Sequence, residues 1–91
     1  MNQCDLLILD GEVVDGTGSP PVSADVAVKD GRIVAIGSLA PVEGVPTLDA
    51  QGLLVAPGFI DIHSHSDFTL LVDPRAVSSI TQGVTLEVVG N

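Results

Sequence analysis

Apolar and polar positions alternate through residues 24–29. Ala24, Val26 and Val28 fall on one side of an extended chain, and Asp25, Ala27 and Lys29 on the other. Asp30-Gly31 follows, and Arg32 to Ile36 returns with Ile33 and Val34. This predicts a β-hairpin whose turn exploits the tolerance of Asp-Gly for positive φ. The same signal stands earlier: Leu6 to Leu9 is an apolar run, Asp10-Gly11 interrupts it, and Glu12-Val13-Val14 resumes, so a hairpin is expected there too. Asp15 to Pro21 and Gly37 to Pro46 read as loops. Thr47-Leu48-Asp49 and Leu53 to Ala56 are short strand candidates on either side of a Gln51-Gly52 turn. Residues 6–56 thus predict a small, mostly antiparallel β unit of about six short strands.

The pattern changes at Pro57-Gly58. Phe59 to His63 reads as a strand with apolar residues on both faces, the mark of a sheet covered on both sides. Phe68 to Val72 is apolar and fits either helix or strand. Asp73-Pro74 predicts a helix start, with Asp as N-cap and Pro in the first turn. Ala76, Val77 and Ile80 mark one face of that helix, and Gly83 closes it. Val84 to Val89 is a second buried-strand candidate. Strand, crossover helix and strand over residues 59–89 make one βαβ unit, which implies a parallel pair. The fold class is therefore mixed β and α/β. A pair of strands apolar on both faces is more than a small open sheet can cover.

Composition narrows the function classes. Of 91 residues, 45% are hydrophobic and only Phe59 and Phe68 are aromatic, so any core is built from Val, Leu, Ile and Ala. Acids outnumber Lys and Arg by 12 to 3, a net charge of −9. With only Lys29, Arg32 and Arg75 available, neither nucleic acid nor an anionic membrane is expected as a partner. No apolar run approaches the roughly 20 residues of a membrane span. The first residues, Met1 to Asp5, lack the basic start of a signal peptide. Cys4 is the single cysteine, which fits a reducing compartment, and a cytoplasmic location is expected. Cys4 itself is read as a surface thiol. Asp10, Asp15, Asp25 and Asp30 are read as turn acids without chemistry.

The candidate chemistry lies in His63-Ser64-His65, which holds both histidines of the chain. In a strand, residues i and i+2 share a face about 6.6 Å apart, so two imidazoles can converge on one metal ion. They stand at the C-terminal end of a predicted parallel strand, where α/β folds place their sites. Neutral imidazole suits zinc and other late first-row metals, and the bland alternative is two polar residues ending a strand. Catalytic zinc takes three protein ligands, so two do not make a catalytic site. Asp67 is a candidate for orienting an imidazole N–H, or else a loop aspartate. Asp61, one rung below His63, is a second such candidate or a structural hydrogen-bonder.

The run Val55-Ala56-Pro57-Gly58-Phe59-Ile60-Asp61-Ile62-His63-Ser64-His65-Ser66-Asp67 resembles the first barrel strand of the amidohydrolase superfamily. Asp5 to Ile8, Gly11 to Gly16, Val28 to Ile33 and Leu48 to Ala50 resemble that family's N-terminal β-sandwich segment. The tail Ser79 to Asn91 resembles the N-acyl-D-amino-acid deacylase (D-aminoacylase) branch. The resemblance implies residues 1–56 as part of a small β-sandwich, and 57–91 as the start of a TIM-like (β/α)₈ barrel. It implies a zinc-dependent hydrolase, with one or two ions or another divalent metal, that cleaves the amide of N-acyl-D-amino acids by metal-activated water. His63 and His65 match the family's first two ligands. The cysteine ligand of the family follows the Gly-Asn pair directly, and further histidines and the catalytic aspartate come from later strands. The remainder of the enzyme chain, or a second polypeptide, is thus the expected partner that completes the barrel, and the 91 residues alone are expected to be inactive. A cyclic amidohydrolase of the hydantoinase or dihydroorotase kind is the alternative within the superfamily. Outside it, the alternative is a non-catalytic metal-binding or subunit-interaction β domain.

Overall fold

The structure, a computed structural model, describes residues 4–89, the Phe68 side chain excepted. Met1 to Gln3 and the Gly90-Asn91 pair, both used in the sequence reading, lie outside the described residues. The chain forms two compact units that meet in sequence at Pro57 and Gly58.

Among the described residues the first unit is a five-stranded sheet. Its strands are β1 (Leu6–Val13), β2 (Val22–Lys29), β3 (Arg32–Gly37), β4 (Thr47–Asp49) and β5 (Leu54–Val55). The order is β3-β2-β1-β4, and β5 also pairs with β1. The hairpin at Asp30-Gly31 forms as expected, with φ of 51° and 75° at its two central residues. Both turn residues then have the positive φ that matches the strand twist.

Asp10-Gly11 does not make a hairpin. β1 runs straight through it, and the pairing with β2 shifts register between Ile8 and Gly11. Asp10 alone takes the left-handed conformation there, at φ 63°. The result is a bulge, with the extra residue absorbed inside one strand. This is one reason the unit has five strands rather than six. It is also less antiparallel than expected, because β4 and β5 both run parallel to β1. They follow each other along one edge of β1, and Gly11 faces the step between them. A Cβ at Gly11 would collide with the Val55 side chain and crowd Ala50.

The core of this unit is Leu7 with Cys4, Ala27 and Val45, and Leu9, Ala35 and Leu39 pack against it. Cys4 is therefore a buried core thiol rather than a surface one. Its small apolar side chain fills the space beside Leu7. On the opposite face the register pairs Ile8 with Val26, Val26 with Ile36 and Val28 with Ile33. Asp25, read from sequence as a turn acid, is a buried residue in the middle of β2. Its two carboxylate oxygens accept the backbone N–H groups of Asp10 and Leu39, each at 2.8 Å. Those two bonds hold its carboxyl below the usual aspartate range, the Asp10 amide contributing most. The carboxylate thus pins both the bulge and the chain leaving β3.

The second unit pairs β6 (Phe59–Asp61) with β7 (Val84–Glu87) in parallel, as the strand–helix–strand order predicts. Between them lie α1 (Ser66–Val72) and α2 (Val77–Ile80). Both strands are shorter than the sequence suggests. The expected helix start at Asp73 is instead the C-terminal cap of α1. The Asp73 carboxylate accepts the Arg75 backbone N–H at 3.1 Å and binds its guanidinium at 2.9 Å through two bonds. That local turn, followed by Ala76 at φ 50°, delays the second helix to Val77. The helix ends at Ile80 with Thr81 as its C-cap, so Gly83, at φ 89°, stands two residues past the cap rather than directly after it. Gly58 lies so close to Thr85 that any Cβ would collide with that side chain. Among the described residues no helix is long and apolar enough to cross a membrane.

Candidate metal centre

β6 ends at Asp61, and the chain bends through Ile62 and His63. Two backbone bonds continue the ladder beyond the strands: Val88 N–H to the Asp61 carbonyl at 2.8 Å, and Ser64 N–H to the Val88 carbonyl at 3.0 Å. Ser64 is buried, whereas His63 and His65 on either side of it are exposed. His65 is the N-cap residue of α1 and makes no side-chain cap bond. The histidines therefore stand on a bend and a helix cap, past the strand rather than within it, and the strand repeat does not set their spacing.

The structure nevertheless brings the two rings together. Their centroids are 5.1 Å apart, with an interplanar angle of 74°. Two imidazoles sharing a tetrahedral zinc ion at about 2.1 Å per Zn–N bond have ring centres roughly 5 Å apart. Spacing and donor chemistry thus fit two ligands of a divalent ion. Among the described residues no group of three His, Cys, Asp or Glu side chains gathers to complete a shell.

The other sequence candidates occupy different positions. Asp61 is half-buried, and its Oδ1 accepts the His63 backbone N–H at 3.1 Å, so it braces the bend at the main chain. Asp67 is exposed in the first turn of α1, where a negative charge suits the positive end of the helix. Cys4 belongs to the core of the first unit.

A further polar group went unread in the sequence. Glu87 ends β7, and its Oε1 accepts the Ser79 hydroxyl from the helical segment. The Ser66 and Ser64 hydroxyls also act on the same carboxylate. Together, Ser79 foremost, they hold the Glu87 carboxyl below the usual glutamate range. The signal was present: an acid within an apolar, β-branched strand has to find donors.

Comparison with known proteins bears on this loop directly. Residues 46–91 match the model of the amidohydrolase family. An N-acyl-D-aspartate deacylase of Alcaligenes xylosoxydans xylosoxydans is 47% identical over 89 residues, covering 98% of this chain and 18% of that protein. An N-acyl-D-glutamate deacylase from Bordetella bronchiseptica, crystallised with zinc and a phosphonate mimic of the tetrahedral intermediate, superposes with a TM-score of 0.92. It is 44% identical and covers 99% of this chain and 19% of its own. A D-aminoacylase studied for the role of its binuclear metal centre gives a TM-score of 0.89 at 42% identity, covering 97% of this chain and 19% of its own. The chain thus spans less than a fifth of the length of these relatives. With the histidine loop inside the matched segment, and the likeness running along nearly the whole sequence, the chain belongs to the amidohydrolase family.

Proposed function

We propose that this chain supplies the first two metal ligands, His63 and His65, of an enzyme that hydrolyses the amide bond of N-acyl-D-amino acids. The observation that carries the reading is the pair of imidazoles 5.1 Å apart, just beyond the C-terminal end of a parallel strand. Relatives that act on N-acyl-D-aspartate and N-acyl-D-glutamate support the substrate class.

In this reading residues 1–56 belong to a small β-sandwich and residues 57–91 open a (β/α)₈ barrel. Such a barrel takes about 250 residues, so its remaining strands come from outside these 91. They cover the apolar faces of β6 and β7 and bring the other ligands and the proton-handling aspartate. One or two zinc or other divalent ions, when bound, polarise the scissile carbonyl and activate water. The chain's own residues hold and orient. His63 and His65 present ring nitrogens to the ion. Asp61 fixes the His63 backbone, and Asp67 is the candidate for orienting an imidazole N–H. The buried free thiol of Cys4 fits a reducing, cytoplasmic setting.

The test uses the purified protein that carries this chain, with N-acetyl-D-aspartate, N-acetyl-D-glutamate and their L enantiomers. The expected result is release of the D amino acid only, lost on chelation and restored by zinc. Absence of amide cleavage by the metal-loaded protein overturns the reading.

A further inference from the structure

β6 and β7 do not advance in step. Phe59 pairs with Val84, but Ile60 pairs with Leu86 and Asp61 with Glu87. Phe59 to Asp61 is two steps and Val84 to Glu87 is three, so Thr85 is an extra residue in β7. A bulge of this kind bends its strand and is uncommon in a parallel pair. The ladder is fixed on both sides of it. Before it, the Phe59 N–H donates to the Gly83 carbonyl at 2.8 Å. After it, the Val88 N–H donates to the Asp61 carbonyl at 2.8 Å, and the Val88 carbonyl accepts the Ser64 N–H at 3.0 Å. The extra residue also has a seat. Gly58, just before β6, lies against Thr85, and a Cβ there would meet the Oγ1, Cγ2 and Cβ atoms of that side chain. Turning χ1 of Thr85 moves Oγ1 and Cγ2 aside but leaves its Cβ 2.8 Å from the added carbon. Relief therefore requires the backbone of β7 to move. Gly58 does not take positive φ, so space rather than conformation calls for glycine at this position.

We propose that Gly58 and Thr85 are positioning residues for the His63/His65 pair, acting through the register of β7. The bulge seated on Gly58 makes Val88 the residue that takes both bonds at the end of the ladder. Flattening it slides β7 by one residue. Glu87 then stands where Val88 stood, and each later side chain turns to the opposite face. Ser64, between the two histidines, is buried and bound to Val88 through its N–H. The turn that carries both imidazoles therefore follows Val88. Bulges beside functional sites re-aim side chains in this way. The inference rests on the reading that His63 and His65 bind metal.

The test is metal retention in the protein as it occurs, loaded with cobalt(II). The readouts are the rate of release to a chelator and the visible absorption of the bound ion. Gly58→Ala is expected to release cobalt about 10- to 100-fold faster than the parent, with an altered spectrum, the range seen when groups behind metal ligands are disturbed. Gly37→Ala, which adds a methyl where nothing lies within 4 Å, is expected to release it at the parent rate. The double variant Gly58→Ala/Thr85→Gly removes the obstructing Cβ and should return both rate and spectrum to those of Thr85→Gly alone. Release from Gly58→Ala no faster than from Gly37→Ala overturns the proposal. So does a double variant that stays as leaky as Gly58→Ala. Should Gly58→Ala fail to fold, the double variant decides: recovery of folding and of cobalt retention upholds the contact, and failure of either overturns it. His63→Ala separates the two levels. If it keeps cobalt as firmly as the parent, the metal reading falls and this proposal with it. If it loses cobalt while Gly58→Ala does not, only the positioning role falls.

Discussion

The first unit buries Leu7, Val13, Val26, Ala27, Val45 and Ala50, whereas Ser64 is the one buried residue among those described in the second. Leu7 is 2% exposed; Leu71 and Val72 on α1 are 83% and 88% exposed, and Ile62 is 77% exposed. Both units are well supplied with Val, Leu and Ile, so composition does not cause the difference. The first unit folds its apolar residues against its own sheet. The second is held by a short parallel ladder, the Asp73–Arg75 turn and the Ser79–Glu87 bond, and its apolar side chains point outward. Full burial of such a side chain is worth about 1.5–3 kcal/mol, and in the second unit most of that gain is not realised by its own residues. Stability and the candidate chemistry are thus separated along the chain.

That separation can be broken experimentally, beginning with the largest effect. His63→Ala or His65→Ala should bring amide hydrolysis to background and lower bound metal while leaving the unfolding of the first unit unchanged. Activity and metal assays beside circular dichroism would show it, and parent-level turnover in the double variant would refute the ligand assignment. Leu7→Ala should cost the first unit about 2–5 kcal/mol in denaturant unfolding, since it empties the most enclosed position of the core. Gly11→Ala should cost about 1–3 kcal/mol by driving a methyl into Val55. Acid should weaken the first unit through Asp25. Its folded carboxyl titrates below the unfolded one, so its contribution is present above the unfolded pKa and disappears as pH falls through the folded value. Asp25→Asn should lower stability at neutral pH and flatten the acid limb of the pH curve. Leu71→Ala should change stability by less than about 0.5 kcal/mol. A cost like that of Leu7→Ala would show that this face is covered in the protein.

Two identical dipeptides show what the sequence discloses. Asp30-Gly31 was readable as a hairpin turn because both residues take positive φ and the flanking strands alternate cleanly. Asp10-Gly11 looks the same locally and is a bulge, because the Asp25 carboxylate, 15 residues away, takes the Asp10 N–H. No local pattern encodes that bond. Asp73-Pro74 failed for a related reason. Its side chain served a turn with Arg75, while the preceding ambiguous apolar run had already become helix. The parallel pairing of β6 and β7 followed from strand order, whereas the closeness of the two histidine rings comes from a bend and a helix cap that the strand repeat does not describe. The Ser79–Glu87 bond was not legible, because it depends on where β7 lies against α2.

The exposed edge of the sheet has a colloidal consequence. Among the described residues β3 pairs with β2 alone, and its Ile33, Val34 and Ile36 are each more than half exposed. An apolar strand with unpaired backbone groups is a template for another copy's edge. The excess of nine negative charges keeps such copies apart through mutual repulsion. Solubility should therefore fall as acid neutralises the carboxylates. It should also fall as salt shortens the reach of the repulsion to about 8 Å near physiological ionic strength.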